Sequence, residues 1–385
     1  MVGLIASIPI LQDALSEARR HDVARVDEGL RGFGVTGVHG EPEVGVSSVA
    51  ASAIERSRRP CIRVDLDGAA SNDDVAAMLA RGLAQTVLER RDLSLLAAPT
   101  VAPAYVHRSY IDFAERAGER IAAFAVADRP VEPVGVGEVL DAIELVHGRT
   151  PDPPILWIDH LQAPLLTPRH PVDVDALLWN TRNLHQRMGL PIVISGSKAA
   201  SRIAYDSDGA FYGDGTWVTI GRPGMDVWQD VAAAPLDGPP LPGWVAEMAD
   251  ITHAHPATML LALALRNELP QFARTPVELW QLMLSLDDGL VGRAVQHARS
   301  LHRLGATVLD RIAHGARPYE GARSKAEQNE RNRALRRLYE GGLITQPGPR
   351  FWEITNPLLA GRLRRDMPFT VVDAGPREIS TLDSF

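Results

Sequence analysis

Residues 37–48, GVHGEPEVGVSS, carry the glycine spacing of a loop built to hold phosphate. Gly40, Gly45 and Ser47 satisfy the frame G-x-x-x-x-G-K-[ST], and Val46 stands where that frame requires lysine. Between a strand and a helix, successive backbone N–H groups form a nest, and the helix start beyond it adds a positive dipole. In a complete site the lysine reaches the β- and γ-phosphates and the hydroxyl at Ser47 sits on Mg²⁺. Val46 supplies no charge, and Glu41 and Glu43 bring negative charge into the same loop. The candidate nucleotide contacts are Gly40, Gly45, Val46, Ser47 and Ser48. The chain has two lysines, Lys198 and Lys325; Lys198, just after the apolar run LPIVISGS, is the candidate substitute.

A second group lies at the end of the apolar run PPILWIDH. Asp159 is placed to bind a water on Mg²⁺, so Ser47 and Asp159 are the candidate metal site. The next residue is His160, where a hydrolase of this kind uses Glu to orient the attacking water. Imidazole is a base in principle, so Asp159 and His160 are the catalytic candidates; the alternative is that His160 is a polar strand-end residue without chemistry. The cofactor expectation is weakly held ATP or ADP with Mg²⁺, or none. Twelve scattered histidines include no H-E-x-x-H pair, and one cysteine excludes a disulfide framework or a cysteine-based zinc cluster.

The charge is uneven. Residues 293–365 hold fifteen Lys and Arg against six Asp and Glu, a net of +9, which leaves −17 on the rest of a chain of formal charge −8. Arg331, Arg333, Arg336 and Arg337 crowd one helical stretch, and Arg350 sits in the turn PGPR between LIT and FWEI. At 100° per residue Arg333, Arg336 and Arg337 share a side while Leu335 and Leu338 face a core. A basic helix beside a hairpin suits phosphate contact along double-stranded DNA, so all five arginines are candidate DNA contacts. The alternative is that these arginines make a protein contact or neutralise the acidic body of the same chain, and self-association stays open.

The elements that must position these groups follow from periodicity. Residues 9–30 read as a helix, FGVTGV at 33–38 as a strand, and 47–58 as a helix. CIRVDLDG at 61–68 is a strand ending in two carboxylates, followed by a capped helix from Ser71. Residues 91–132 are partly helical. Strands at 153–160, 190–197 and 215–221, with a helix at 173–189, complete an α/β pattern with a mostly parallel sheet, whose ligands lie beyond the carboxyl ends of the strands. Beyond it, 252–268 reads as an apolar helix and 293–315 as another, then a helix, a hairpin at 343–354 and a final helix. No apolar run reaches the ~18 residues of a membrane span. The start lacks a basic segment before its apolar stretch, so no secretory leader is expected and a cytoplasmic location is.

In order, GVHGEPEVGVSSVAASAI, CIRVDLDGAASNDDVAAMLARGL, PPILWIDHLQ, LPIVISGS and ITHAHPATMLLALAL resemble the AAA+/STAND group of P-loop ATPases, in particular those called archaeal-type ATPases. The resemblance spans about residues 15–365. It implies a P-loop NTPase-like α/β domain at 1–225, a helical lid at 226–292, a winged-helix domain at 293–367 and a tail at 368–385. It matches Asp159 to the first Walker B acid and Ser195 or Ser197 to the polar sensor, with Ser197 the nucleotide-binding candidate. His255-Pro256 matches a lid turn in which Ala254 replaces glycine. The missing lysine and second acid depart from that pattern. The function expected is a DNA-binding, ATPase-like regulatory or scaffold protein, a pseudo-ATPase in hydrolysis. The alternatives are an active noncanonical ATPase in a nucleic-acid or defence assembly, and a protein-interaction module.

Overall fold

The computed structural model describes residues 7–32, 34–41, 43–89, 135–147, 150, 152–166, 172–233, 242–269, 275–286, 289–348 and 351–366. The stretch 91–132, Arg350 and the tail from 368 lie outside them. Two compact units form: one from residues 21–39 and 46–219, the other from 7–20, 40–45 and 220–366.

The first unit is built on a five-stranded parallel sheet of β1 (Val35–Gly40), β2 (Cys61–Asp65), β3 (Ile155–Asp159), β4 (Ile192–Ser197) and β5 (Thr216–Ile220), in the order β2-β3-β4-β1-β5. Position in that order explains composition. The three inner strands are buried at every residue, whereas β2 and β5 at the edges have exposed or half-buried positions. Helices Val46–Ser57, Asn72–Glu89, Val136–His147 and Val174–Met188 connect the strands. Asp173 caps the last of these by accepting from the Ala176 N–H, and Gly189 ends it at φ 68°. Leu79, Leu83, Ile143, Ile158, Leu184 and Ile194 share its core.

β2 pairs with β3 in parallel register, Arg63 opposite Trp157 and Asp65 opposite Asp159. Because side chains alternate along a strand, Arg63, Asp65, Trp157 and Asp159 therefore share one sheet face. Ile62 and Val64 face the core on the other.

The other unit is helical. The expected helix over 9–30 is two, broken at Arg19: Ser7–Ala18 belongs to this unit, and Arg20–Arg31 falls, from residue 21 on, in the sheet unit. Arg19 is 4% exposed, and its guanidinium donates to the carbonyls of Val44 and Gly221. A buried cation needs such acceptors, and reaching them takes the residue out of the helix. Leu11 and Leu15 then bury with Trp228, Met248, Met259 and Leu263. The expected helix over 293–315 is also two, Leu290–Leu301 and Gly305–Ala313. Gly305 presses on the preceding helix so closely that a Cβ there would lie 1.9 Å from the Ala298 carbonyl oxygen. Helix Lys325–Glu340 follows, then the antiparallel hairpin β6 (Ile344–Gly348) and β7 (Phe351–Ile354), and helix Pro357–Asp366. Among the described residues no helix is long and apolar enough to cross a membrane.

Gly37 on β1 lies under Trp217, and a Cβ there would sit 1.9 Å from the indole ring. Gly37→Ala should cost about 1–3 kcal/mol of stability by overpacking, measured by denaturant unfolding. An unchanged midpoint would mean that Trp217 swings clear.

Candidate functional site

The carboxylate centre grows from the end of β3. Asp159 is fully buried. A carboxylate in that position costs several kcal/mol unless its lone pairs are filled. Its Oδ1 accepts from Ser47 Oγ at 2.8 Å, from the His160 N–H at 2.9 Å and from Ser195 Oγ. Its Oδ2 accepts from Arg63 Nη2 at 2.6 Å. Ser195 in turn accepts from Trp157 Nε1 at 2.7 Å, and the Arg63 guanidinium stands 4.4 Å over the Trp157 ring. Four elements thus converge on one side chain.

His160 has a left-handed backbone, φ 55°, a sparsely populated conformation for a non-glycine residue. It carries the ring to Asp65, whose Oδ1 lies 2.7 Å from Nδ1, and brings Nε2 to 3.5 Å from Ser47 Oγ. Asp65 also takes Arg63 Nη2 at 3.2 Å. The structure therefore brings together Ser47, Asp159 and His160 of the sequence-read residues. It adds Arg63 and Asp65, and of the two sensor candidates it brings in Ser195. Arg63 and Asp65 went unread because two residues of one strand gain this role only through the pairing of β2 with β3; their i, i+2 spacing was the available signal. Ser197 serves elsewhere: its hydroxyl caps helix Lys198–Tyr205 from the Ala200 N–H, and its N–H donates to Gln162. Lys198 places its charge near His39, which it and, more strongly, burial hold below the usual imidazole range.

The glycine loop follows from the end of β1 and leads into helix Val46–Ser57. Glu43 and Gly45 are left-handed, φ 61° and 91°, and Val44 N–H closes a turn on the Glu41 carbonyl at 3.4 Å. Only glycine takes φ 91° without strain, which accounts for Gly45. Ser48 is exposed and Val46 half-buried on the first turn of the helix.

The loop carboxylates have protein partners within the helical unit. Glu41 accepts from Arg222 Nε at 3.1 Å and from Thr345 Oγ1 at 3.3 Å. Glu43 accepts from Asn356 Nδ2 at 3.1 Å and approaches His255 Nε2 at 3.4 Å. Arg222 also donates to the His253 carbonyl at 3.1 Å. His253 and Ala254 are both left-handed, φ 49° and 51°, and this is the conformation that favours glycine where Ala254 stands. His255 is fully buried; burial, then the Arg222 charge, push its pKa down to about 3. Burial pushes the Glu43 carboxyl up.

On helix Lys325–Glu340 the arginines divide. Arg331 is tucked in, 12% exposed, donating to Glu327 at 2.6 Å and to the Glu320 carbonyl at 2.8 Å, so it holds the approach to its own helix. Arg333 and Arg336 are 73% and 82% exposed, paired to Glu330 and Glu340 within the helix. Arg337 is less exposed and also reaches Glu340, at 3.3 Å. Leu335 and Leu338 are buried.

Compared with protein families and with curated proteins, the sequence gives no match. Among solved structures, a Walker-type ATPase of Pyrococcus abyssi superposes with a TM-score of 0.59 at 15% identity, over 90% of this chain and 95% of its own. The fold is that of a Walker-type P-loop ATPase. The Aeropyrum pernix ORC1 protein, solved in complex with DNA, gives 0.44 at 12% identity over 90% and 92%. The ORC2 protein of that organism gives 0.44 at 12% over 91% of each chain. At those values the ORC proteins add nothing to the fold assignment. Direct ligation of Mg²⁺ by Asp159 would have to displace donors already on both of its oxygens, a guanidinium among them. The residues present do not fit it.

Because His255 is held neutral by burial, its contribution to stability is full above the unfolded imidazole pKa of ~6.5 and is lost as pH falls towards its folded value. Glu43, raised, acts in the opposite sense. The unfolding midpoint of the wild type should therefore drop more between about pH 7 and pH 5 than that of His255→Gln. Parallel pH profiles would refute the buried neutral imidazole.

Proposed function

We propose that this chain is a DNA-binding, ATPase-like regulatory or scaffold protein whose P-loop site does not sustain rapid hydrolysis. The single observation behind the chemical half is the Asp159 carboxylate, shared among two serines, a backbone N–H and Arg63. With Val46 in the lysine position and Glu41 and Glu43 in the loop, the centre lacks the charge that stabilises a transferring phosphoryl group. Backbone N–H groups of the loop and the start of helix Val46–Ser57 remain as anion donors, so Gly40, Gly45, Val46, Ser47 and Ser48 are the proposed nucleotide contacts, binding weakly. Turnover of ATP with Mg²⁺ should stay well below ~1 per second. Steady phosphate release that disappears in Asp159→Ala would overturn this. Val46→Lys should raise nucleotide affinity without restoring turnover.

The DNA half rests on the segment Lys325–Glu340, β6, β7 and Pro357–Asp366, which we take as a winged helix with its recognition helix first. Arg333 and Arg336 are its most exposed cations, and their partners are surface glutamates, a class of pair weak enough to exchange for phosphate. Arg337 completes that side, and Arg331 belongs to the scaffold. The triple change Arg333→Ala, Arg336→Ala, Arg337→Ala should weaken binding of unrelated duplexes alike and make log affinity shallower against log salt, by anisotropy. Wild type that binds no duplex even near ~50 mM salt would move the function to a protein partner.

A further inference from the structure

We propose that Arg63 is the resident cation of the carboxylate centre, standing in for the divalent metal, and that any polyphosphate anion held by this chain is held without Mg²⁺. Three independent observations carry it. Arg63 Nη2 sits 2.6 Å from Asp159 and 3.2 Å from Asp65, bridging the two carboxylates that end β2 and β3. Its guanidinium is fixed from the side by the Trp157 ring at 4.4 Å, and Trp157 is itself 5% exposed and tied to Ser195. An arginine held in this way is preorganised rather than recruited from solvent.

The third observation is what surrounds it. Asp65, Asp159 and His160 offer one ligand atom each within 4.8 Å of one another, the spacing of a cation site. A guanidinium already bridges the two carboxylates among those three groups, and a divalent ion entering beside it would meet like charge at close range and have to displace an ion pair. The strands thus assemble a cation site and supply its cation from the chain. Arg63 and Asp65 are i, i+2 on β2, and the register with Trp157 and Asp159 sets all four side chains on one face, so the arrangement is a property of the sheet. It also gives the fully buried Asp159 a cationic partner with no lysine at position 46.

Mn²⁺ titration followed by electron paramagnetic resonance tests this on the full chain. Wild type should show no one-to-one Mn²⁺ site, and Arg63→Ala should bind one Mn²⁺ at least ~10-fold tighter, because removing the positive charge unmasks the cluster. Arg63→Lys should resemble wild type. The gain should vanish in Arg63→Ala, Asp159→Asn, which ties the site to this carboxylate. Arg63→Gln, which keeps the stem and a donor, serves if the alanine variant loses its circular dichroism. A tight single Mn²⁺ site in wild type, or no gain in a folded Arg63 variant, overturns the proposal. A second arm rests on the reading of the loop as an anion cradle. A fluorescent ATP analogue should bind with equal affinity in Mg²⁺ and in EDTA, and loss in EDTA counts against Arg63 as the resident cation. Absence of binding in both would count against the cradle alone, the Mn²⁺ arm still deciding for or against Arg63.

Discussion

The sheet unit depends on one constraint: a carboxylate buried beyond solvent at the end of a central strand must have every lone pair satisfied. Asp159 meets it with donors from β2, β4, the start of helix Val46–Ser57 and its own following N–H. Each donor fixes the element that carries it. Ser47 sets where that helix begins, and Ser195 locks Trp157. Replacing any one donor leaves an unpaired oxygen in a place water does not reach, at a cost of about 1–3 kcal/mol or more for a charged group. A site organised in this way is well suited to hold a shape and poorly suited to release a ligand position for a metal.

The glycine loop shows the same exchange of chemistry for structure in the helical unit. Glu41 and Glu43 would repel a triphosphate, and in the fold they are ligands for the protein itself, reached by Arg222, Thr345, Asn356 and the buried face of His255. Those partners lie 181, 304 and 313 residues away along the chain for the three hydrogen bonds. The loop therefore retains its turn geometry while its carboxylates hold His255, the hairpin and the start of the last helix. Arg222 joins this network from the end of β5, bonded to Glu41 and to the His253 carbonyl.

What could be read from residues alone divides along physical lines. Apolar runs bounded by glycine and proline located all five sheet strands to within two or three residues, most directly the inner ones, which are buried on both faces. The loop, Ser47 and Asp159 were legible from spacing, since the frame of a phosphate loop is local. Arg63 and Asp65 were not, and Ser195 could not be told from Ser197, because their meeting with Asp159 depends on which strands become neighbours, and β4 lies between β1 and β3. The breaks at Arg19 and Gly305 were invisible for a similar reason: a helix pattern continues through both, and each break answers a distant carbonyl or a neighbouring helix.

The placement of charge connects the two halves of the functional reading. A polyphosphate site normally draws its positive charge from a lysine and a metal; here the chain has two lysines, and arginines occupy both the carboxylate centre and the exposed helix. Arginine differs from lysine in that its planar fork binds two carboxylates or stacks on an indole while staying charged. At Arg63 those properties produce a fixed ion pair on a ring, at a surface only partly open to water. At Arg333 and Arg336 the same side chain is solvated and paired only with glutamates a turn away, so its charge remains available to a polyanion. The same residue type thus closes one site and leaves the other open, and it is the number of fixed partners and the stacking on an indole that separate the two outcomes.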